Sequence, residues 1–258
     1  MSHSRPPLHY VTEGSGPPLV LIHGVGANLH NWDETVPLLA PEFTLLRMDL
    51  RGHGKSPQIR EPWTLEKFAE DVIDTMDRAG IARAHLAGFS LGGLIGQCLA
   101  VNYPERFDRV ALLSAVAGRT PEEREKVTGR LALLREGGFA MVSDAARERW
   151  FTPGFIRDNP EKVAARLEEI RANDLESYIE AYRVFGHGEM ADRLHEIGHR
   201  TLVLTGEHDI GSNTRMARLM HERIANSELV ILPELRHSLL VEAPHLLAEH
   251  LLRFLKQP

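Results

Sequence analysis

Gly88-Phe89-Ser90-Leu91-Gly92 follows an apolar run ending in Leu86-Ala87 and precedes the helix-compatible stretch that begins at Gly93. A serine at so tight a strand-to-helix turn is held in a strained backbone conformation with its hydroxyl projecting into a cleft. The flanking glycines let strand and helix approach each other. Ser90 is therefore a nucleophile candidate. A serine hydroxyl attacks poorly at neutral pH, so it needs a base, an acid to orient that base, and donors for an oxyanion. In sites of this kind the partners follow the serine in the order acid, then histidine, each on a loop leaving the carboxyl end of a strand. The β-branched run 201–205 leads into Gly206-Glu207-His208-Asp209, and the run 229–232 leads into Pro233-Glu234-Leu235-Arg236-His237-Ser238. Asp209 is the expected orienting acid, with Glu207 as its neighbouring rival, and His237 the expected base.

One oxyanion donor is expected at the backbone N–H of Leu91, directly after the nucleophile. The second is expected in the loop after an earlier strand, where 19–22 runs into His23-Gly24-Val25-Gly26, and falls on Val25. Other residues invite chemistry and have plainer explanations. Asp49 ends a strand ahead of Arg51-Gly52-His53-Gly54 and reads as a loop anchor; His23 reads as fixing loop geometry. Cys98, the only cysteine, lies on an apolar helix, which favours packing and rules out an intrachain disulfide. Among 14 histidines, His221-Glu222-Arg223-Ile224-Ala225 begins like a zinc-protease helix but ends in alanine, so no metal site is expected.

These groups must be positioned by strands alternating with helices. Strands are expected at 8–12, 19–23, 44–49, 84–88, 109–114, 201–205 and 229–232, which implies βαβ units and a mostly parallel, doubly wound sheet. Between 114 and 201 lie helical signatures and no strand, too long for an ordinary crossover. Thr120-Pro121-Glu122-Glu123 is a capping box with proline at the first helical position, and Gly137-Gly138 closes that helix. Further helices are expected at 140–151, 160–172 capped by Asn159, and 175–185 capped by Asp174. Tyr178 and Tyr182, at i and i+4 on the last of these, read as packing residues on an apolar inner face. The expected division is a core of 1–117 and 199–258 with a helical lid at 118–198.

Composition closes off other classes. A chain of 258 residues, 43% hydrophobic and with a formal charge of -6, suits one α/β domain with an insertion. Without a basic stripe it is not expected to bind nucleic acid or anionic membrane surfaces. The segment Met1-Ser2-His3-Ser4-Arg5-Pro6-Pro7 has no apolar stretch of leader length, and no later segment reads as a membrane span; a soluble, cytoplasmic protein is expected.

Taken in order, His23-Gly24-x-Gly26, Asp49-Leu50-Arg51-Gly52-His53-Gly54-x-Ser56, Gly88-x-Ser90-x-Gly92, Gly206-Glu207-His208-Asp209 and Arg236-His237-Ser238 resemble the α/β-hydrolase superfamily along nearly the whole chain. The resemblance implies the α/β-hydrolase fold, with a lid inserted after the strand the family counts as its sixth, and places the acid at Asp209. It also implies an antiparallel hairpin at the start, of which only the second strand is clear. Within the superfamily, Arg149-Trp150-Phe151-Thr152-Pro153-Gly154-Phe155, Asn159-Pro160 and Asn173-Asp174-x-x-x-Tyr178 look like the lid of 3-oxoadipate enol-lactonases. That likeness implies a small carboxylated enol lactone as substrate, with Arg149 pairing with its carboxylate, Trp150 forming an apolar wall, and no cofactor. A general carboxylesterase or a carbon–carbon bond hydrolase would use the same triad. A non-catalytic ligand-binding relative could also keep it. Epoxide hydrolases and haloalkane dehalogenases would need a carboxylate at position 90.

Overall fold

The computed structural model describes residues 6–58, 60–141 and 143–257. Residues 1–5, read above for a leader, lie outside the described residues, as does residue 142 within the helix expected at 140–151.

A seven-stranded sheet runs in the order β1-β3-β2-β4-β5-β6-β7, formed by β1 (Tyr10–Gly14), β2 (Pro18–Ile22), β3 (Thr44–Met48), β4 (Ala84–Phe89), β5 (Phe107–Leu113), β6 (Arg200–Gly206) and β7 (Ser227–Leu232). Every pairing is parallel except the antiparallel edge β1·β3, so the doubly wound sheet expected from the sequence is present. β1 begins at Tyr10, two residues beyond the expected start. No strand precedes it among the described residues.

Helices α1 (Val36–Leu39), α2 (Leu65–Arg78), α3 (Leu91–Asn102), α4 (Pro121–Gly137), α5 (Ser143–Trp150), α6 (Pro153–Asp158), α7 (Pro160–Arg171), α8 (Leu175–His187), α9 (Thr214–Arg223), α10 (Leu239–Glu242) and α11 (Pro244–Lys256) complete the chain, with short 3₁₀ turns between some of them. Strand alternation splits the core in two. Val20, Ile22, Leu86, Val110 and Leu112 pack on the side of α2, α3 and α9. Leu19, Leu21, Ala87, Ala111 and Leu113 pack on the side of α11 and Trp32. Apart from Gln97, residues 91–100 of α3 are apolar or glycine, and all ten are buried, so this helix is pinned to the middle of the sheet. Cys98 sits in it, fully buried, its thiol pushed up to about 11 mainly by desolvation, as a packing residue should be.

α4 to α8 occupy the connection between β5 and β6 and share their own cluster, including Val127, Leu131, Phe151, Val163, Leu167 and Ile170. The capping box at Thr120 and Glu123 forms as its sequence dictates. The region expected as one helix over 140–151 is instead a 3₁₀ turn at Gly138–Met141 followed by α5. α6 was not anticipated: Thr152 accepts from Phe155 N–H and Pro153 takes the first helical position, which starts a new helix directly after Trp150 and Phe151. No helix among the described residues is long and apolar enough to cross a membrane.

Candidate active site

Ser90 stands at the carboxyl end of the central strand β4 with φ 56° and ψ -112°, a conformation no ordinary serine prefers. The backbone around it enforces this. Ser90 N–H donates to Leu113 O at 2.8 Å and its own carbonyl accepts from Leu94 N–H at 3.1 Å. A Cβ at residue 88 would lie 2.1 Å from Gly92 O, and one at residue 92 would lie 2.3 Å from Ile22 O, so both flanking positions must be glycine.

β2 lies beside β4 in register, Ile22 opposite Gly88, so the loop that leaves β2 passes over the turn at Ser90. A Cβ on Gly24 would approach Ser90 Cβ to 3.1 Å. His23 fixes this loop: its Nδ1–H donates to Gly24 O at 2.7 Å and its Nε2 accepts from Leu50 N–H at 3.0 Å. Both ring nitrogens are thus used by the neutral tautomer, and burial, followed by repulsion from His53, lowers the pKa well below the ordinary histidine value. Asp49 is the anchor expected of it: Oδ1 accepts from Leu29 N–H at 2.8 Å, and Oδ2 accepts from Lys55 N–H at 2.8 Å. The N–H groups of Val25 and Leu91 donate to no described group, which leaves both available at the mouth of the turn.

Asp209 and His237 come together because β6 and β7 are neighbours, Gly206 opposite Leu232. A Cβ on Gly206 would sit 2.4 Å from Arg236 O, so glycine there lets the loop after β7 fold over the end of β6. His237 Nδ1–H donates to Asp209 Oδ2 at 2.6 Å, while Asp209 Oδ1 accepts from the N–H groups of Gly211 and Ser212, each at 2.9 Å. The Asp209 side chain is fully buried, whereas Glu207 and His208 are exposed, which separates the expected acid from its rival. The imidazole packs on Phe89, ring centroids 5.1 Å apart. Ser90 and His237 line the same cavity. No direct hydrogen bond joins their side chains.

That cavity encloses about 1030 Å³ including its mouth, between the strand ends and α4, α5, α7 and α8. Arg149 and Trp150 both line it, as do Arg130, Arg166, Tyr178 and Tyr182. Tyr178 and Tyr182 stack with centroids 6.1 Å apart, so they pack as expected and also form wall. Arg166 is satisfied, donating to Gly26 O at 3.0 Å and Glu169 Oε2 at 2.8 Å and lying 5.4 Å from the Trp150 ring centre. Arg149 has no carboxylate or hydrogen-bond partner among the described residues; burial, then repulsion from Arg130, lowers its pKa. No grouping of side chains suited to a metal ion occurs among the described residues.

Sequence reasoning missed the fastening between His237 and the helices above it. Arg236 Nη1 donates to Glu148 O and Phe151 O, Ser238 N–H donates to Trp150 O at 2.9 Å, and Thr152 donates to the Glu242 carboxylate. Both chain neighbours of His237 are therefore tied to the segment that carries Arg149 and Trp150. No motif announces such backbone-directed bonds, and only the capping role of Thr152 was open to a sequence signal.

Comparison with known proteins gives a consistent picture. The family model for the alpha/beta hydrolase fold matches residues 17–185. The chain is 31% identical to 3-oxoadipate enol-lactonase 2 of Acinetobacter baylyi, over 92% of this chain and 88% of that protein. It is 30% identical to (E)-2-((N-methylformamido)methylene)succinate hydrolase of the same organism, over 92% and 89% of the two chains. Among solved structures, the enol-lactonase from Burkholderia xenovorans LB400 superimposes with a TM-score of 0.91 at 30% identity, covering 97% of this chain and 96% of the other.

Proposed function

The chain belongs to the α/β-hydrolase fold family and is an enol-lactonase-like hydrolase, and from that premise we propose that it cleaves a carboxylated lactone or ester through an acyl-enzyme on Ser90. The observation that carries the reading is the 2.6 Å pair of buried Asp209 and partly buried His237 sharing one cavity with Ser90 and with Arg149, which has no partner among the described residues.

In this reading Asp209 holds the imidazole with Nδ1 protonated, leaving Nε2 to take the Ser90 proton as Oγ attacks the carbonyl carbon. The negative charge that develops on the carbonyl oxygen is received by the N–H groups of Val25 and Leu91. Loss of one such donor typically costs about 3 kcal/mol in the barrier. The acyl–oxygen bond breaks, and the leaving oxygen takes the proton from His237; for an enol lactone that oxygen is an enol that tautomerises to a ketone. His237 then deprotonates a water that attacks the acyl carbon, and as the acyl–Oγ bond breaks the imidazolium gives that proton to Ser90 Oγ. Arg149 holds the substrate carboxylate and Trp150 supplies an apolar wall, while α4 to α8 act as a lid over the strand ends. Both curated relatives act, by name, on substrates that carry carboxylates, and a neutral substrate would leave the Arg149 guanidinium uncompensated.

Two measurements test this. p-Nitrophenyl acetate should give a burst of p-nitrophenol that Ser90→Ala abolishes; an unchanged burst would remove Ser90 from the reaction. Arg149→Ala should raise KM for an anionic lactone by about 10- to 100-fold and leave KM for a neutral ester nearly unchanged. Equal rises for the two substrates would show that Arg149 does not read a carboxylate.

A further inference from the structure

Three guanidinium groups line the cavity, and they are not equivalent. Arg166 has a carboxylate, a carbonyl and an indole face around it. Among the described residues Arg149 has no polar partner, and Arg130 has one hydrogen bond, from Nη1 to the Tyr182 hydroxyl at 2.8 Å, and no carboxylate. Asp209, the carboxylate that lines the cavity, is already committed to His237 and two backbone N–H groups. Arg130 and Arg149 therefore present two positive charges to one partly desolvated space with no carboxylate partner among the described residues, in a chain whose net charge is -6.

Two like charges that face one cavity repel each other, and a ligand that brings an anionic group to each relieves that repulsion most fully. A single carboxylate held at Arg149 would leave Arg130 with the Tyr182 hydroxyl alone as its partner among the described residues. Tyr182 also restrains Arg130: it accepts from one end of the fork and is itself stacked on Tyr178, leaving the remaining N–H groups of Arg130 to serve as donors. We propose that the cavity selects a substrate bearing two anionic groups besides the scissile carbonyl, with Arg130 as a second specificity-determining residue beside Arg149. This rests on the reading of Arg149 given above and extends it from a carboxylated substrate to a dianionic one.

Equilibrium binding separates this from the chemistry. Titration calorimetry on the Ser90→Ala protein compares succinate, glutarate and adipate with butyrate, valerate and hexanoate. The best dicarboxylate should bind at least tenfold more tightly than any monocarboxylate. Arg130→Gln should abolish that preference while leaving monocarboxylate affinity within about twofold, with thermal melts confirming that the variant is folded. Dicarboxylates that bind no more tightly than monocarboxylates would overturn the proposal, as would a preference that survives Arg130→Gln. The Ser90 reading fails on a different result, retention of esterase activity in Ser90→Ala, which would leave the dicarboxylate preference standing.

Discussion

At the floor of the cavity, Ser90, Asp209 and His237 stand on turns at the ends of β4, β6 and β7, where glycines 88, 92 and 206 permit backbone approaches that no other residue allows. Over the roof, Arg130, Arg149, Trp150 and Tyr182 stand on helices that pack mainly on one another, in a cluster separate from the two cores flanking the sheet. The floor is fixed by backbone geometry and the roof by which side chains a set of amphipathic helices turns inward. The two are joined beside His237 by the bonds of Arg236, Ser238 and Glu242 with residues 148–152, and beside Val25 by the bonds of Arg166 and Asn173 to Gly26 O.

The sharpest way to break the comparison is to disturb the floor alone. Gly92→Ala drives a Cβ to 2.3 Å from Ile22 O, a backbone atom that cannot swing aside. A loss of about 3 kcal/mol in stability is expected, with collapse of activity, read by denaturant titration and ester turnover. A variant as stable and active as the parent would show that the turn tolerates what its geometry forbids.

Acid should loosen the floor in a similar way. His53 is buried, and desolvation holds its pKa at about 4 against an ordinary 6.5. His23 is shifted in the same direction. Both stay neutral in the folded state while the unfolded chain takes up protons below pH 6.5, so their contribution is fully present above that pH and is lost as pH falls toward 4. For His53 alone the loss is about 3 kcal/mol. Thermal melts at pH 7, 5.5 and 4.5 should show a progressive fall, flattened in His53→Gln relative to its own value at pH 7. A melting temperature constant down to pH 5 would contradict it.

The smallest effect concerns the join. Arg236→Gln removes the bonds to Glu148 O and Phe151 O without altering the His237 side chain itself. Here kcat should fall about tenfold with the melting temperature little changed, because the imidazole loses part of its positioning. An unchanged kcat would make the floor independent of the roof.

This contrast also explains what was legible in the sequence. The strand ends and their glycines carry local signals: apolar runs set the strands, and Gly88, Gly92 and Gly206 mark turns, so Ser90 and His237 could be named from motif and order, while the family likeness set Asp209 apart from Glu207. The doubly wound sheet followed from the same runs. The roof was harder. The capping box at Thr120 announced α4, but the interruption at Gly138–Met141 and the separate α6 depend on packing that periodicity does not register. Arg130 was invisible because an arginine on an amphipathic helix reads as solvent-facing until a neighbouring helix closes over it. Arg149 emerged through a family likeness, and its lack of a partner required coordinates.

The central claim is that Ser90 is the nucleophile activated by His237, and covalent labelling tests it most directly. A fluorophosphonate should add one equivalent to the protein, seen as a single mass increment that maps to the peptide containing Ser90. The labelling rate should fall by several orders of magnitude in His237→Ala, and labelling should be absent in Ser90→Ala. Labelling of another residue, or undiminished labelling of Ser90 without His237, would contradict the account.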